Sequence, residues 1–340
     1  MTVGMYGGKF FPLLHLGHVY AMKKAYEMVD ELHIIVSYDE KHEKDVLNKS
    51  SKVKYVDPTT RVRWWSMITR GLKNIYIHKV YEEQTGNLSD WKSGADKIKE
   101  KVSKEINVVF SSEHDYTPIF SSLYPNAEHV VIDSKRKNFN ISGTEIRKYG
   151  VYKNWGMIPD VIKPYFTKKI AIVGTESVGK STLTKKLAEF YNTNYVEEYG
   201  RTVCENLGGC DGIINEDDFR EIVYGHKLLE YENIKHSNKI LFIDSEAVVS
   251  QYYSILYLSK SCNWIDDVIA SQNYDLYIYL EPDVTWVEDG YRVHGEKRIR
   301  ETNNELLKSM FDKRGIECAS VSGSYDERLT KSIMEINKLF

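Results

Sequence analysis

Short apolar runs recur along the whole chain, separated by longer segments of mixed polarity. In the first half TVGMY, LHIIVS, IYIHKV, INVVFSS and HVVID alternate with stretches long enough for helices. Strands buried on both faces of a parallel sheet read as continuous apolar runs, and parallel neighbours need helical crossovers. The pattern therefore predicts a doubly wound α/β domain. Between residues 150 and 168 the text changes to YKNWGMIPDVIKPYFTK, with Pro159 and Pro164, and the alternation then restarts. KIAIVG, NYVEEY, KILFID, DLYIYL and CASVS read as a second set of strands. Helices are expected from about Lys180, from Phe219 to Ile234, from Glu301 to Lys313, and at the C-terminus. The fold class predicted is α/β with two parallel-sheet domains, residues 1–160 and 161–340.

Composition narrows the functions. The 340 residues are 42% hydrophobic and 28% charged, with a formal net charge of -3. That balance fits an ordered globular chain and lacks the basic excess a general nucleic-acid binder needs, so no nucleic-acid partner is expected. No apolar run approaches the ~20 residues of a membrane span, and residues 1–10 do not read as a leader. The expectation is a cytoplasmic protein without a membrane partner. Cys204, Cys210, Cys262 and Cys318 show no CxxC spacing, and reduced thiols are expected; Cys204, Cys210 and His226 match no zinc spacing.

The first chemical pattern follows the opening strand. In GGKFFPLLHLGH, His15 and His18 stand three apart at the start of a helix, after Gly8, Lys9 and Phe10. Two histidines so placed can hydrogen-bond phosphates at the positive end of a helix, or they can be a capping or core pair. About 125 residues later comes ISGTEIR, preceded by Arg136. Ser142, Thr144 and Arg147 make a phosphate cradle, while Ser142 with Glu145 also makes an ordinary capping box. TRVRWW offers Arg61, Trp64 and Trp65 as an acceptor wall, with an amphipathic core helix as the alternative.

The second pattern is a complete P-loop. Gly174, Thr175, Glu176, Ser177, Val178, Gly179, Lys180 and Ser181 match G-x-x-x-x-G-K-[ST] between a strand and a helix, and Thr182 follows. Backbone N–H groups there wrap phosphates, Lys180 bridges β and γ oxygens, and Ser181 ligates Mg²⁺. Asp244, at the end of KILFID, can reach Mg²⁺ as a second ligand or the acceptor hydroxyl, with a solvated end-of-strand aspartate as the alternative. YVEEYGR places Glu198 and Arg201 at the same sheet edge, where they could hold the acceptor. WVEDGYRVHGEKRIR supplies Asp289, Arg292 and Arg298, read as a lid or as a plain basic loop.

HLGH with ISGTEIR resembles the Rossmann-like HxGH nucleotidyltransferases, in particular the nicotinamide-mononucleotide adenylyltransferase branch. GTESVGKST, EEYGR, LFIDSEAVVSQYY and WVEDGYR resemble the ribosylnicotinamide kinase domain of the bifunctional NadR-type proteins. The resemblance covers nearly the whole chain and keeps that family's domain order. It implies that His15, His18, Ser142, Thr144 and Arg147 hold ATP phosphates in the first domain. It also implies that nicotinamide riboside is phosphorylated in the second domain, and that the mononucleotide is adenylylated to NAD in the first. ATP would be co-substrate twice and Mg²⁺ the cofactor; a homo-oligomer is compatible. One departure stands out: Leu13 and Leu14 both separate Pro12 from His15 where the family has one residue, which predicts a longer histidine loop. Some NadR-type proteins carry an N-terminal helix-turn-helix; here Met1 leads straight into a strand, so none is expected. A coenzyme A synthase-like fusion and a non-catalytic nucleotide sensor are the alternatives.

Overall fold

The computed structural model describes residues 1–284 and 297–340. The chain divides into two compact units, Met1–Lys163 and Pro164–Phe340.

In the first unit β1 (Val3–Gly8), β2 (Glu31–Tyr38), β3 (Ile75–Tyr81), β4 (Val108–Ser111) and β5 (Glu128–Val131) form a parallel sheet of order β3-β2-β1-β4-β5. Its connections include α1 (Leu16–Tyr26), α2 (Pro58–Ile68), α3 (Leu88–Val102), α4 (Thr117–Leu123) and the short α5 (Gly143–Tyr149). Met5, Ile35, Val80 and Val109 pack one sheet face against Ala95, Ile98 and Val102 of α3. The chain leaves β1 toward β2 on one side and returns as β4 on the other. That reversal opens a crevice at the carboxyl ends of β1 and β4, where ligands of doubly wound sheets bind.

The second unit repeats the layering with another strand order. Here β6 (Lys168–Val173), β7 (Tyr195–Val196), β8 (Ile240–Asp244), β9 (Leu276–Leu280) and β10 (Cys318–Val321) run parallel in the order β10-β9-β6-β8-β7. Around them lie α6 (Lys180–Tyr191), α7 (Tyr199–Leu207), α8 (Glu216–Asn233), α9 (Ala247–Leu258), α10 (Asn263–Ser271), α11 (Lys297–Asp312) and α12 (Tyr325–Asn337). Alternation along β6 divides the core: Ile170 and Ile172 pack with Leu183 and Leu187 of α6, while Ala171 and Val173 pack with Val248 and Tyr252 of α9. All ten expected apolar runs are strands, although only Tyr195 and Val196 of NYVEEY pair. Among the described residues no helix is long and apolar enough to cross a membrane.

Candidate active sites

Gly7 and Gly8 end β1, and the chain then loops through Phe10, held at a positive φ of 49°, into α1. Leu13 and Leu14 are fully buried, anchoring the loop so that the next residue, His15, starts the helix. The His15 and His18 rings stack with centroids 3.6 Å apart. The His15 backbone N–H donates to His18 Nδ1 at 3.3 Å, which leaves the ring proton of a neutral His18 on Nε2. Burial, then Arg136, holds the His15 imidazole down at about pKa 4, and burial with His15 as neighbour lowers His18 well below the usual histidine range. The pair is therefore neutral near pH 7. His15 Nδ1 is buried with no partner. Gly17 is small for a reason, since a Cβ there would lie 3.0 Å from His15 Nδ1.

The second motif arrives at the same place. Ser142 caps α5 by accepting from the Glu145 N–H at 3.1 Å. A Cβ on Gly143 would sit 2.4 Å from the Phe11 carbonyl oxygen, so only glycine lets this helix start touch the histidine loop. Gly8, Lys9, Phe10, His15, His18, Arg136 and Ser142 line one cavity, together with Ser111, Glu113 and Tyr116 from the end of β4. Thr144 and Arg147 do not line it. Arg147 donates to Thr144 Oγ1 at 2.9 Å and to the Phe11 carbonyl at 3.4 Å, bracing the loop from outside.

Beyond Lys9, Ser111 and Tyr116, which line both, a second cavity is walled by Trp91, Phe120, Tyr124, Glu82 and Gln84. Trp91 stands 39% exposed, its ring centroid 5.6 Å from that of Tyr116. Lys9 donates to Gln84 Oε1 at 2.9 Å.

In the other unit the P-loop joins β6 to α6. Lys180 is buried and donates to the Thr175 carbonyl at 3.0 Å. Asp244 pairs in register with Ile172, so β8 delivers its carboxyl beside the P-loop. That carboxyl is 2% exposed and hydrogen-bonded by Ser181; burial first, and Glu198 next, push it up to about 7. Its Oδ1 has no partner. Residues Glu176, Ser177, Val178, Gly179, Lys180, Ser181 and Thr182 form one end of a cavity that also holds Glu198 and Arg201. The Ser245 hydroxyl donates to Glu198 Oε1 at 3.2 Å. Apolar and aromatic residues complete the lining, Ile214, Phe219, Ile222, Tyr253 and Tyr257 among them; the two tyrosine rings stack at 5.9 Å. Gly174, Thr175 and Asp244 are not among the residues that line it.

Comparison with known proteins follows the same division. The trifunctional NAD biosynthesis/regulator protein NadR of Escherichia coli (strain K12) is 32% identical over 344 residues, covering 99% of this chain and 83% of the relative. The chain belongs to the NadR family. A NadR crystal structure in complex with NAD and AMP-PNP superposes with a TM-score of 0.77 at 21% identity, covering 99% of this chain and 95% of that one. A phosphopantetheine adenylyltransferase of Mycoplasma mycoides is 27% identical over 166 residues, 45% of this chain and 99% of that enzyme. The AAA domain family model matches residues 169–328.

For this NadR-family chain, several residue assignments need correcting. Arg61 is fully buried, its guanidinium 2.6 Å from Glu43 and bonded to the Lys9 carbonyl. Trp64 and Trp65 are also buried in the core and line neither cavity, so α2 is a core helix, while Trp91 lines the second cavity. Arg298 is exposed on the first turn of α11 and outside the cavity. Asp289 and Arg292 lie outside the described residues. Cys204 and Cys210 are joined in a disulfide, where reduced thiols were expected; Cys262 and Cys318 are free. Among the described residues no group of three or more metal-binding side chains forms.

Proposed function

We propose that this chain makes NAD in two ATP-dependent steps. The second unit phosphorylates nicotinamide riboside to the mononucleotide, and the first adenylylates the mononucleotide, releasing pyrophosphate. The observation that carries this reading is that each unit joins a phosphate-binding end to an aromatic wall suited to a flat ring.

In the kinase unit the riboside ring lies against Tyr253 and Tyr257, with its primary hydroxyl toward Glu198. That hydroxyl attacks the γ-phosphorus of ATP and gives its proton to Glu198, while Lys180 and the P-loop N–H groups hold the phosphates as ADP leaves. Ser181 and Asp244 would hold Mg²⁺, and the unpartnered buried Oδ1 of Asp244 fits a cation. Bound there, the ion would supply charge neutralisation for the phosphates during transfer.

In the adenylyltransferase unit ATP occupies the cavity of His15, His18, Arg136 and Ser142, and the mononucleotide occupies the one walled by Trp91. A phosphate oxygen of the mononucleotide attacks the α-phosphorus in line, and no protein nucleophile is needed. Lys9, on the boundary between the cavities, faces the charge that develops. Arg147 and Thr144 act by fixing the loop that carries the histidines. We assign the chain to the cytoplasm, where ATP is supplied.

The test is direct. Purified chain given nicotinamide riboside, ATP and Mg²⁺ yields mononucleotide, NAD, ADP and pyrophosphate by mass. Adenylylation of phosphopantetheine with no product from the riboside would instead support the coenzyme A reading.

A further inference from the structure

Cys204 lies on α7 and Cys210 in the loop before α8, with Cα atoms 5.2 Å apart. That loop carries Gly208, Gly209 and Gly212, all at positive φ (75°, 147° and 72°), so its backbone has unusual freedom once untied. Its far end bears Ile214, which lines the riboside end of the kinase cavity alongside Cys204 itself. Cys210 is 4% exposed and packs with Val203, Ile214, Phe219 and Ile222, while Tyr253 and Tyr257 pack against the same cluster. The bridge therefore ties a glycine-rich segment of the cavity wall to the helix that follows Glu198.

We propose that Cys204 and Cys210 form a reversible thiol modification site in the wall of the riboside cavity, closed by a low-molecular-weight disulfide of the glutathione class and opened by a dithiol. One cysteine thiolate attacks the small disulfide and expels one small thiol, giving a mixed disulfide. The second cysteine thiolate attacks that intermediate and expels the other. Two protein thiols lose two electrons and two protons, and one small disulfide becomes two thiols. Cys204 is half-buried and faces the cavity, and serves as the entering thiol; the buried Cys210 resolves. The remaining cysteines do not compete: Cys262 is buried, and burial pushes the Cys318 thiol up to about 12. The bridge spans only six positions, so its effect is local to the wall. Closed, it orders Ile214 against the riboside; open, that order must be created on binding.

This inference rests on the kinase reading, and the experiment separates the two. Full-length chain is equilibrated with dithiothreitol or with glutathione disulfide, alkylated, and weighed. Phosphoryl transfer to nicotinamide riboside and adenylyl transfer to supplied mononucleotide are then measured in each state. The expected result is two alkylations fewer after oxidation, and a KM for the riboside ~2–10-fold lower in the oxidised chain, the scale of pre-ordering one or two side chains. KM for ATP and the adenylyl reaction stay level. Cys210→Ser removes the redox dependence, and Cys262→Ser retains it. Equal alkylation in both states, or a riboside KM that shifts as much in Cys210→Ser, overturns the proposal. A chain that makes no mononucleotide in either state overturns the kinase reading, while the alkylation count still decides whether the pair closes.

Discussion

The guanidinium of Arg328 donates to the backbone carbonyl of Val178, tying α12 to the P-loop across 150 positions of sequence. The same side chain is 1% exposed and also donates to the carbonyls of Gly323 and Glu281 and to the Asp283 carboxylate. A P-loop holds phosphate only when its N–H groups converge, and Arg328 fixes one of the peptides that make it do so.

Arg328→Ala leaves the Val178, Glu281 and Gly323 carbonyls without their donor, and a buried acceptor left unsatisfied costs about 1–3 kcal/mol. The second unit should melt at lower temperature, and KM for ATP in the riboside reaction should rise. Adenylylation of supplied mononucleotide should remain. Calorimetry with two partial-reaction assays checks this, and an unchanged melting profile would contradict it.

Legibility followed the range of the information. The ten strands were readable because strands buried on both faces write their apolar run locally, and the P-loop because its spacing is contiguous. HLGH and ISGTEIR were readable as motifs, yet which side chains face the cavity depended on Gly143 meeting Phe11, a contact between distant segments. That packing turns Arg147 toward the loop. TRVRWW left a core helix and an acceptor wall both open, because aromatic residues that fill a core and those that wall a pocket look the same in a short window. Trp91 carried no local signal, because the rings beside it, Tyr116 and Phe120, come from a distant segment. Ser111 and Glu113 carried a usable signal, as polar residues directly after an apolar run sit at the carboxyl edge of a parallel strand. Arg328 had none, because its partners lie in three separate segments.

Trp91 and Trp65 give a discriminating pair. Trp91→Ala should raise KM for the mononucleotide ~10-fold through lost stacking, with KM for ATP little changed. Trp65 is fully buried against Phe10 and Tyr6, so Trp65→Ala should cost about 3–5 kcal/mol of stability. Steady-state kinetics and urea unfolding check both. A selective KM effect from Trp65 would restore α2 as the acceptor wall.

The buried histidines predict acid lability. The folded-state values of His15 and His18 lie below the unfolded value of ~6.5, so between the two the unfolded chain binds more protons. Their contribution is fully present above pH ~6.5 and is lost as pH falls toward about 4, where His15 titrates. The first unit should lose about 1–3 kcal/mol between pH 7 and pH 5. His15→Gln should flatten that slope in urea titrations at the two pH values; an identical slope would place the acid sensitivity elsewhere.

The crossed pair Lys180→Ala and His18→Ala tests whether the two cavities serve separate steps. Lys180 is buried in the P-loop of one unit, and His18 is stacked on His15 in the other. Each removes a phosphate contact used in one reaction, and loss of a donor to developing charge costs ~10²–10³-fold in rate. Lys180→Ala should stop mononucleotide formation from the riboside and still convert supplied mononucleotide to NAD. His18→Ala should let mononucleotide accumulate. Mixing the two variants should restore NAD synthesis from the riboside, because the intermediate is a free, diffusible product of one unit and a substrate of the other. Product profiles by mass at matched concentrations decide it: if either variant, still folded by circular dichroism, loses both partial reactions, the two cavities do not work independently.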